Sequence, residues 1–509
     1  MRSAATMKNS AWGILSQAVA CFLSLFSRRV MLETIGVEGV GLNAFLMSVI
    51  AMLSLAELGI GTAIVYHMYV PLAENDTDRI VRLMNFYKTV YRAIAVAIVL
   101  LGLALLPFMD RIVKDVSYSR GYVSLIFVLF LLQTTSSYLF TYKRSLLSAD
   151  QKQYIITLYD MGYKIVTVIA GIAVLKLTHE LAWYLVLLTV ATVAENLLIS
   201  RRVEKLYPYI KGARERLGRR DILMLAGDVK NVFVGRISAF ITQSTDSILI
   251  NVLVGTVQTG LYSNYNIILG TLSATINQFS SAMRGSIGNL IAREDGAHIE
   301  RVLERLLFIM FLAGSFCASC LTGLIDPFID LAFGKGFLLG RVTVYICIFN
   351  MYMTAVDIPI WNAISAAGLF STDKYISIIG SGVNLLVSYI LGRRVGMAGI
   401  LFGTSCTYII QYALKTLLFY RMHLERSCVR IMIKSVVYLA AAAAECALAA
   451  YLAGKTCMAN AYAEFVLKAA VSCIVPVAGC LVFWRTDEFR YAAGLAGQTI
   501  KKIYKRFYV

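Results

Sequence analysis

RRVEKLYPYIKGARERLGRR, residues 201–220, is the longest polar interval in an otherwise apolar chain. It carries eight lysines and arginines against only Glu204 and Glu215. Long apolar runs stand on both sides of it. So basic an interval between two membrane runs marks the cytoplasmic side of a bilayer. It therefore pins the topology: the chain before it must end inside, and the chain after it must start inside. A nucleic-acid patch is the alternative for such a cluster, but its flanks would then be soluble folds, and here they are spans.

Composition agrees. Of 509 residues, 59% are hydrophobic and 15% charged, with a mean hydropathy of +0.70; soluble domains carry about 25% charged residues. The missing charge is what a lipid-facing surface forbids. Six prolines and repeated apolar runs of helical length indicate helices rather than a barrel. A net charge of +18 fits Lys/Arg gathered at cytoplasmic loops and at anionic lipid. The cysteines sit mostly inside apolar segments, so no disulfide framework is implied, and the CxxC of Cys317 and Cys320 reads as core packing.

Working outward from the basic interval, the chain before it holds six spans, at about 10–35, 40–70, 89–109, 121–142, 153–175 and 181–200. A polar loop, 71–88, begins at Pro71. Arg2 and Lys8 before an apolar run resemble a signal peptide, but Arg28 and Arg29 stand where a small-residue cleavage site belongs, so the first span reads as uncleaved. After the basic interval come spans at about 226–254, 260–290, 302–326, 341–366, 375–392 and 397–420. An Ala-rich pair follows at 431–453 and 463–484. The tail ends in KKIYKRFYV, a basic amphipathic piece suited to the inner surface. With both termini inside, the inner loops hold most of the Lys/Arg outside the spans, as the positive-inside rule requires. The expected architecture is an all-α integral membrane protein of about 14 transmembrane helices. It has two six-helix bundles (1–200 and 223–425) joined by the linker 201–222, then the last pair in 426–484 and a cytoplasmic tail 485–509.

The halves echo each other. Gly36 to Leu42 and Gly255 to Leu261 both read G-x4-G-L, offset by 219 residues, each between the first two spans of its half. This points to an internal repeat, with glycines reversing two long helices in a short turn.

Polar residues recur inside the spans at helical spacing. In span eight, Asn266, Ser273, Asn277, Ser280 and Arg284 return to one face. Span one offers Ser10, Gln17, Ser24 and Arg28, span two Asn43, Ser54, Glu57 and Gly61. Span seven offers Arg236, Gln243 and Asp246, span ten Asn350, Thr354, Asp357 and Trp361, and span twelve Thr404, Gln411 and Lys415. A charge at mid-bilayer costs about 2.5–3.5 kcal/mol on insertion scales, so such residues face a bundle interior or water. These stripes describe a polar cavity that leans positive. Its substrate-binding candidates are Arg28, Arg236, Arg284, Lys415, Gln17, Asn277 and Gln243. Glu57, Asp246 and Asp357 are either ion-coupling groups or charge partners. For single Ser or Asn residues, helix–helix hydrogen bonding is the simpler reading. Asp160 and Lys164, at i and i+4, read as a self-paired couple, and Arg29 as a residue reaching the interface. The four histidines lie far apart near loop ends, no metal or nucleotide motif occurs, and no enzyme and no cofactor is expected.

These features together resemble the polysaccharide-flippase (Wzx-type) branch of the multidrug/oligosaccharidyl-lipid/polysaccharide exporter superfamily. The segment TDSILINVLVGTVQTGLYSNYN, 245–266, is the part most similar to that branch's seventh-to-eighth-span pattern. The resemblance implies a V-shaped fold like that of the MATE transporters. It also implies translocation of undecaprenyl-pyrophosphate-linked oligosaccharide across a bacterial cytoplasmic membrane for capsule, exopolysaccharide or O-antigen-like polysaccharide. Partners would be that lipid-linked substrate, membrane lipid, and a polymerase and glycosyltransferases. The related lipid II flippases carry cavity arginines in spans one and eight, places that Arg28 and Arg284 match approximately. The rivals are a lipid II flippase, a cation-coupled multidrug antiporter, whose branch often has an acid in span one that is absent here, and a non-transporting scaffold.

Overall fold

The structure, a computed structural model, describes residues 2–54, 60–109, 113, 116–150, 152–210, 217–218, 245–456, 458, 460–495 and 497. Side chains at 2–18, 20–21, 60, 62–64, 66, 278–286, 289, 292–293, 335 and 370 lie outside the description. The described chain is helical, with no strand among the described residues.

Thirteen long helices carry it: α1 (Arg2–Leu53), α2 (Ile60–Glu74), α3 (Thr77–Leu105), α4 (Arg120–Ala149), α5 (Gln153–Thr178), α6 (Leu181–Leu206), α7 (Thr256–Arg293), α8 (Gly296–Phe333), α9 (Arg341–Ala366), α10 (Phe370–Val395), α11 (Met397–Phe419), α12 (Val429–Lys455) and α13 (Ala461–Gly479). A further helical segment, 245–253, precedes α7. Eleven described helices are long and apolar enough to cross a membrane. That set treats the first two expected spans as one run, because two helical segments adjoin directly at the kink at Gly36. It omits α7, whose polar stripe lowers its hydropathy, and most of the expected seventh span lies outside the described residues.

The expected loop 71–88 is corrected. Pro71 lies inside α2, which runs to Glu74, and only Asn75 and Asp76 separate α2 from α3. The Asp76 carboxylate caps α3 by accepting from the Arg79 N–H at 2.9 Å. Capping satisfies an orphan donor at the helix start, so the polar residues prolong two helices beyond their apolar parts instead of forming a loop.

Two compact units divide the chain, 1–267 and 268–509. In the first, α1 packs on α5, α4 on α3 and α6, and α2 on α4. Leu42, Phe45, Leu46, Tyr87, Tyr91 and Phe127 are fully buried there. In the second, α10 packs on α11, and α8 gathers α9, α12 and α13 around it. The rings of Phe308, Phe311, Tyr438 and Phe483 meet with centroids 4.8 Å apart for Phe311–Tyr438 and 5.5 Å for Phe311–Phe483. At one end of α8 the buried Glu304 accepts from Lys434 at 2.7 Å and pairs with Arg430 at 3.0 Å, fastening α12 to α8.

The two glycine motifs meet inside the first unit. Gly36 adopts φ 68° and ψ 177°, a region essentially confined to glycine, and Gly255 has φ 128°. Each lets its chain turn; the second glycine of each motif does something else. A Cβ on Gly41 would stand 2.1 Å from the Thr256 carbonyl oxygen, and one on Gly260 would stand 2.4 Å from the Val37 carbonyl oxygen. Backbone therefore lies directly on backbone, as small residues permit between membrane helices. Gly260→Val should cost at least about 1–3 kcal/mol through overpacking, read as a lower melting temperature in detergent. Gly270→Ala, in the same helix but with nothing within 4 Å of the added methyl, should leave stability unchanged or gain up to about 1 kcal/mol. Equal effects of the two changes would refute the close contact.

Candidate functional site

Arg28 stands on α1, eight residues before the Gly36 turn, and is 7% exposed. Its Nε donates to Asn264 Oδ1 at 2.8 Å, and Nη2 donates to the Ser263 hydroxyl. Both partners belong to the first turns of α7, which the Gly41–Gly260 contact brings against α1. Both are neutral, and among the described residues no carboxylate pairs with Arg28. Tyr184 of α6 hydrogen-bonds Ser27 and lies close enough to feel the Arg28 charge. The guanidinium is thus buried and oriented, and its charge is uncompensated by any described residue. An isolated buried charge is costly, so the arrangement is suited to receive an anion, and the planar guanidinium matches two phosphate oxygens.

Lys415 sits differently. It is buried on α11 and its Nζ lies 3.4 Å from Asp357 Oδ2 on α9 and 5.1 Å from the centroid of Trp361. Asp373 of α10, also buried, lies within electrostatic reach of Lys415 and Asp357. Asp357 Oδ1 and Asp373 Oδ1 each lack a hydrogen-bond partner among the described residues. In the same unit the stripe residues Asn350 and Thr404 tie helices together. Asn350 donates to the Leu401 carbonyl and accepts from Ser405, and Asn384 donates to Thr404.

Asp246 is buried. Asn277 lies on an exposed part of α7. Arg236, Gln243 and Glu57 lie outside the described residues, as do the side chains of Gln17 and Arg284.

One expectation about an ion pair is corrected. Asp160 does not pair with Lys164; Arg144 of α4 donates to it at 2.7 Å and to Glu195 of α6 at 3.0 Å. A guanidinium fork from a neighbouring helix engages two carboxylates at once, which a lysine on the same helix does not match. Arg29 pairs with Glu33 at 3.0 Å, both exposed.

Arg144 and Glu195 line a cavity of about 550 Å³ in the first unit, with Gln133, Ser137 and Thr141 of α4 on its wall. Residues 133, 137, 141 and 144 recur at helical spacing on one face. That stripe was present in the sequence, but it lies in a span whose run of leucines and phenylalanines hides it. Asn264 left no comparable signal, since it lies on the opposite side of the helix from the Asn266 stripe, which Ser263 only borders.

The Lys415 cluster gives a stability prediction. Lys415→Met strands the buried Asp373 and the half-buried Asp357 and should destabilise the protein by up to about 3–5 kcal/mol. Adding Asp357→Asn should recover at least half of that loss in thermal unfolding. A double variant no more stable than the single one would show that Lys415 is not held by charge.

No family model and no curated protein matches the sequence. Solved structures do match. The lipid II flippase MurJ in an inward closed conformation aligns with TM-score 0.68 and 15% identity over 94% of this chain and 98% of that one. An inward-facing multidrug resistance MATE family transporter of the MOP superfamily aligns with TM-score 0.61 and 13% identity, over 80% and 94%. The MATE multidrug transporter DinF-BH aligns with TM-score 0.58 and 14% identity, over 83% and 97%. This chain is a multi-pass membrane protein with the fold of the MOP-superfamily flippases and transporters.

Proposed function

We propose that the protein is a flippase that moves an undecaprenyl-pyrophosphate-linked oligosaccharide from the inner to the outer leaflet of a bacterial cytoplasmic membrane for polysaccharide biosynthesis. The observation that carries this reading is Arg28: buried, aimed by Asn264, and without a described carboxylate. A cation-coupled drug exporter has no evident use for such a group, whereas a pyrophosphate does. The fold supports the reading, since a lipid II flippase shares it over 94% of this chain. That same likeness makes lipid II the second reading, because it presents the same pyrophosphate and tail with a different glycan.

The rest of the substrate has places to go. In the second unit an apolar groove of about 410 Å³ runs between α7, α8 and α13, lined by Leu272, Ile276, Leu312, Phe316, Pro476 and Val477. It suits an isoprenoid chain, which comes from lipid as apolar as the groove and would be held there by packing. Arg284, which completes the polar stripe of its span, is the other residue proposed to bind phosphate, and the proposed cycle is alternating access by two six-span halves with an appended pair at 426–484.

Arg28→Ala should abolish glycan export while the protein still inserts. Arg28→Lys should keep part of the activity, because a point charge replaces the fork, and Arg28→Glu should be worse than Ala. Reconstituted translocation assays decide this; export by Arg28→Ala at wild-type rate removes the pyrophosphate role. The proposed orientation has its own test. Single cysteines at Gly212 and Lys505 should react only with a membrane-permeant thiol reagent, and one at Val257 with an impermeant reagent from outside. Labelling of the 212 position from outside would invert the topology.

A further inference from the structure

The cavity lined by Arg144 and Glu195 has no role in the reading above, and its chemistry is specific. α4 supplies Gln133, Thr134, Ser137 and Thr141, and α6 supplies Thr192 and Asn196. The Thr141 hydroxyl donates to its own helix at the Ser137 carbonyl, and the Asn196 amide donates to the Thr192 carbonyl, which leaves their oxygens free to accept. The hydroxyls of Thr134 and Ser137 make no hydrogen bond to any described residue. Rings of Phe130 and Tyr138 face the same space. The volume, about 550 Å³, falls within the ~300–1,000 Å³ of sites that enclose a small organic ligand.

The charges exclude an anion or a hydrocarbon. Arg144 is already engaged by Asp160 and Glu195, so the cavity offers no free cation. A guanidinium used in this way has no donors to spare for phosphate, which leaves the pyrophosphate to Arg28. A wall of hydroxyls, amides and carboxylate oxygens is costly to desolvate against an apolar tail. What matches it is a neutral ligand dense in groups that both donate and accept, with apolar faces to lie on aromatic rings. That is a sugar.

The cavity also connects to Arg28. Tyr184, which hydrogen-bonds Ser27 beside Arg28, lies in electrostatic contact with Tyr163. Tyr163 in turn meets the Thr192 hydroxyl at 3.0 Å and lies within reach of Gln133, Glu195 and Arg144. Polar groups thus stand between the anion-seeking group and the hydroxyl-lined cavity within the first unit.

Resting on the flippase reading, we infer that this cavity is the subsite for the sugars next to the pyrophosphate, and that the Arg144–Asp160–Glu195 cluster and the α4 hydroxyls select the glycosylated lipid over the bare one. The test measures equilibrium binding of two probes to the full-length protein in detergent: undecaprenyl pyrophosphate without sugar, and undecaprenyl-pyrophosphate-linked oligosaccharide extracted from the expressing membrane. Wild type should prefer the glycosylated probe. Thr134→Ala with Ser137→Ala removes two hydroxyls that no described residue uses. It should weaken the glycosylated probe roughly tenfold, as the loss of two hydrogen bonds implies, and leave the sugarless probe unchanged. Ser137→Trp, which fills the cavity, should do the same more strongly. Wild type without preference, or variants that lose both probes equally or neither, would overturn the subsite. Arg28→Ala separates the two ideas, because it should lose both probes together. If it retains both, the pyrophosphate reading fails, while the ratio of the two probes in the Thr134/Ser137 variant still decides the sugar subsite.

Discussion

A charge inside a bilayer must be compensated, and the way each one is compensated sorts this molecule into parts that hold it together and a part left open. Glu304 is closed by Lys434 and Arg430. Arg144 is closed twice over, by Asp160 and Glu195. Lys415 has Asp357 and the Trp361 ring. Arg28 alone among these has only neutral described partners, an asparagine and a serine. In a low-dielectric setting an oriented cation of that kind is a standing deficit, and deficits of this sort mark functional groups more often than braces.

Arg28 is held in place by something simpler than electrostatics. Two glycines, Gly41 and Gly260, let the helix after the first turn and the start of α7 approach backbone to backbone. That approach sets the first turns of α7 beside α1 and so delivers Asn264 to the guanidinium. A side chain at either position would separate the helices by the width of a methyl group and remove the hydrogen bond that aims Arg28. The repeated G-x4-G-L pattern therefore does two jobs: its first glycine turns the chain, and its second packs it.

The two units differ in the cavities they hold. The first contains the hydroxyl-lined cavity and Arg28. The second contains apolar grooves, among them a cavity of about 370 Å³ on the Ala-rich face of α12, where Ala442, Ala443 and Ala447 leave space beside Phe349 and Ile348. Alanine-rich helices make shallow walls, and shallow walls against bulky ones make grooves. The last two spans join the second unit's core on α8 through the Phe311–Tyr438–Phe483 stack, and the small residues of α12 line that cavity.

The all-helical class, the membrane setting and the two glycine motifs were determined by the sequence alone, because each rests on local signals: apolar length, charge placement and glycine spacing. The special positions of Gly36 and Arg28 were visible in the same way. Ends of elements were less visible, as at Pro71, because a helix that leaves the apolar layer continues on capping and propensity, not hydropathy. What only the tertiary structure decided is which charges meet. Asp160 chose Arg144 over Lys164, Arg28 took Asn264 and Ser263, and Glu195 joined a cavity that no span-by-span reading marked. Periodicity fixes the face of one helix a residue occupies, but the partner across the gap depends on how neighbouring helices rotate and approach, and that is settled by packing of the whole bundle.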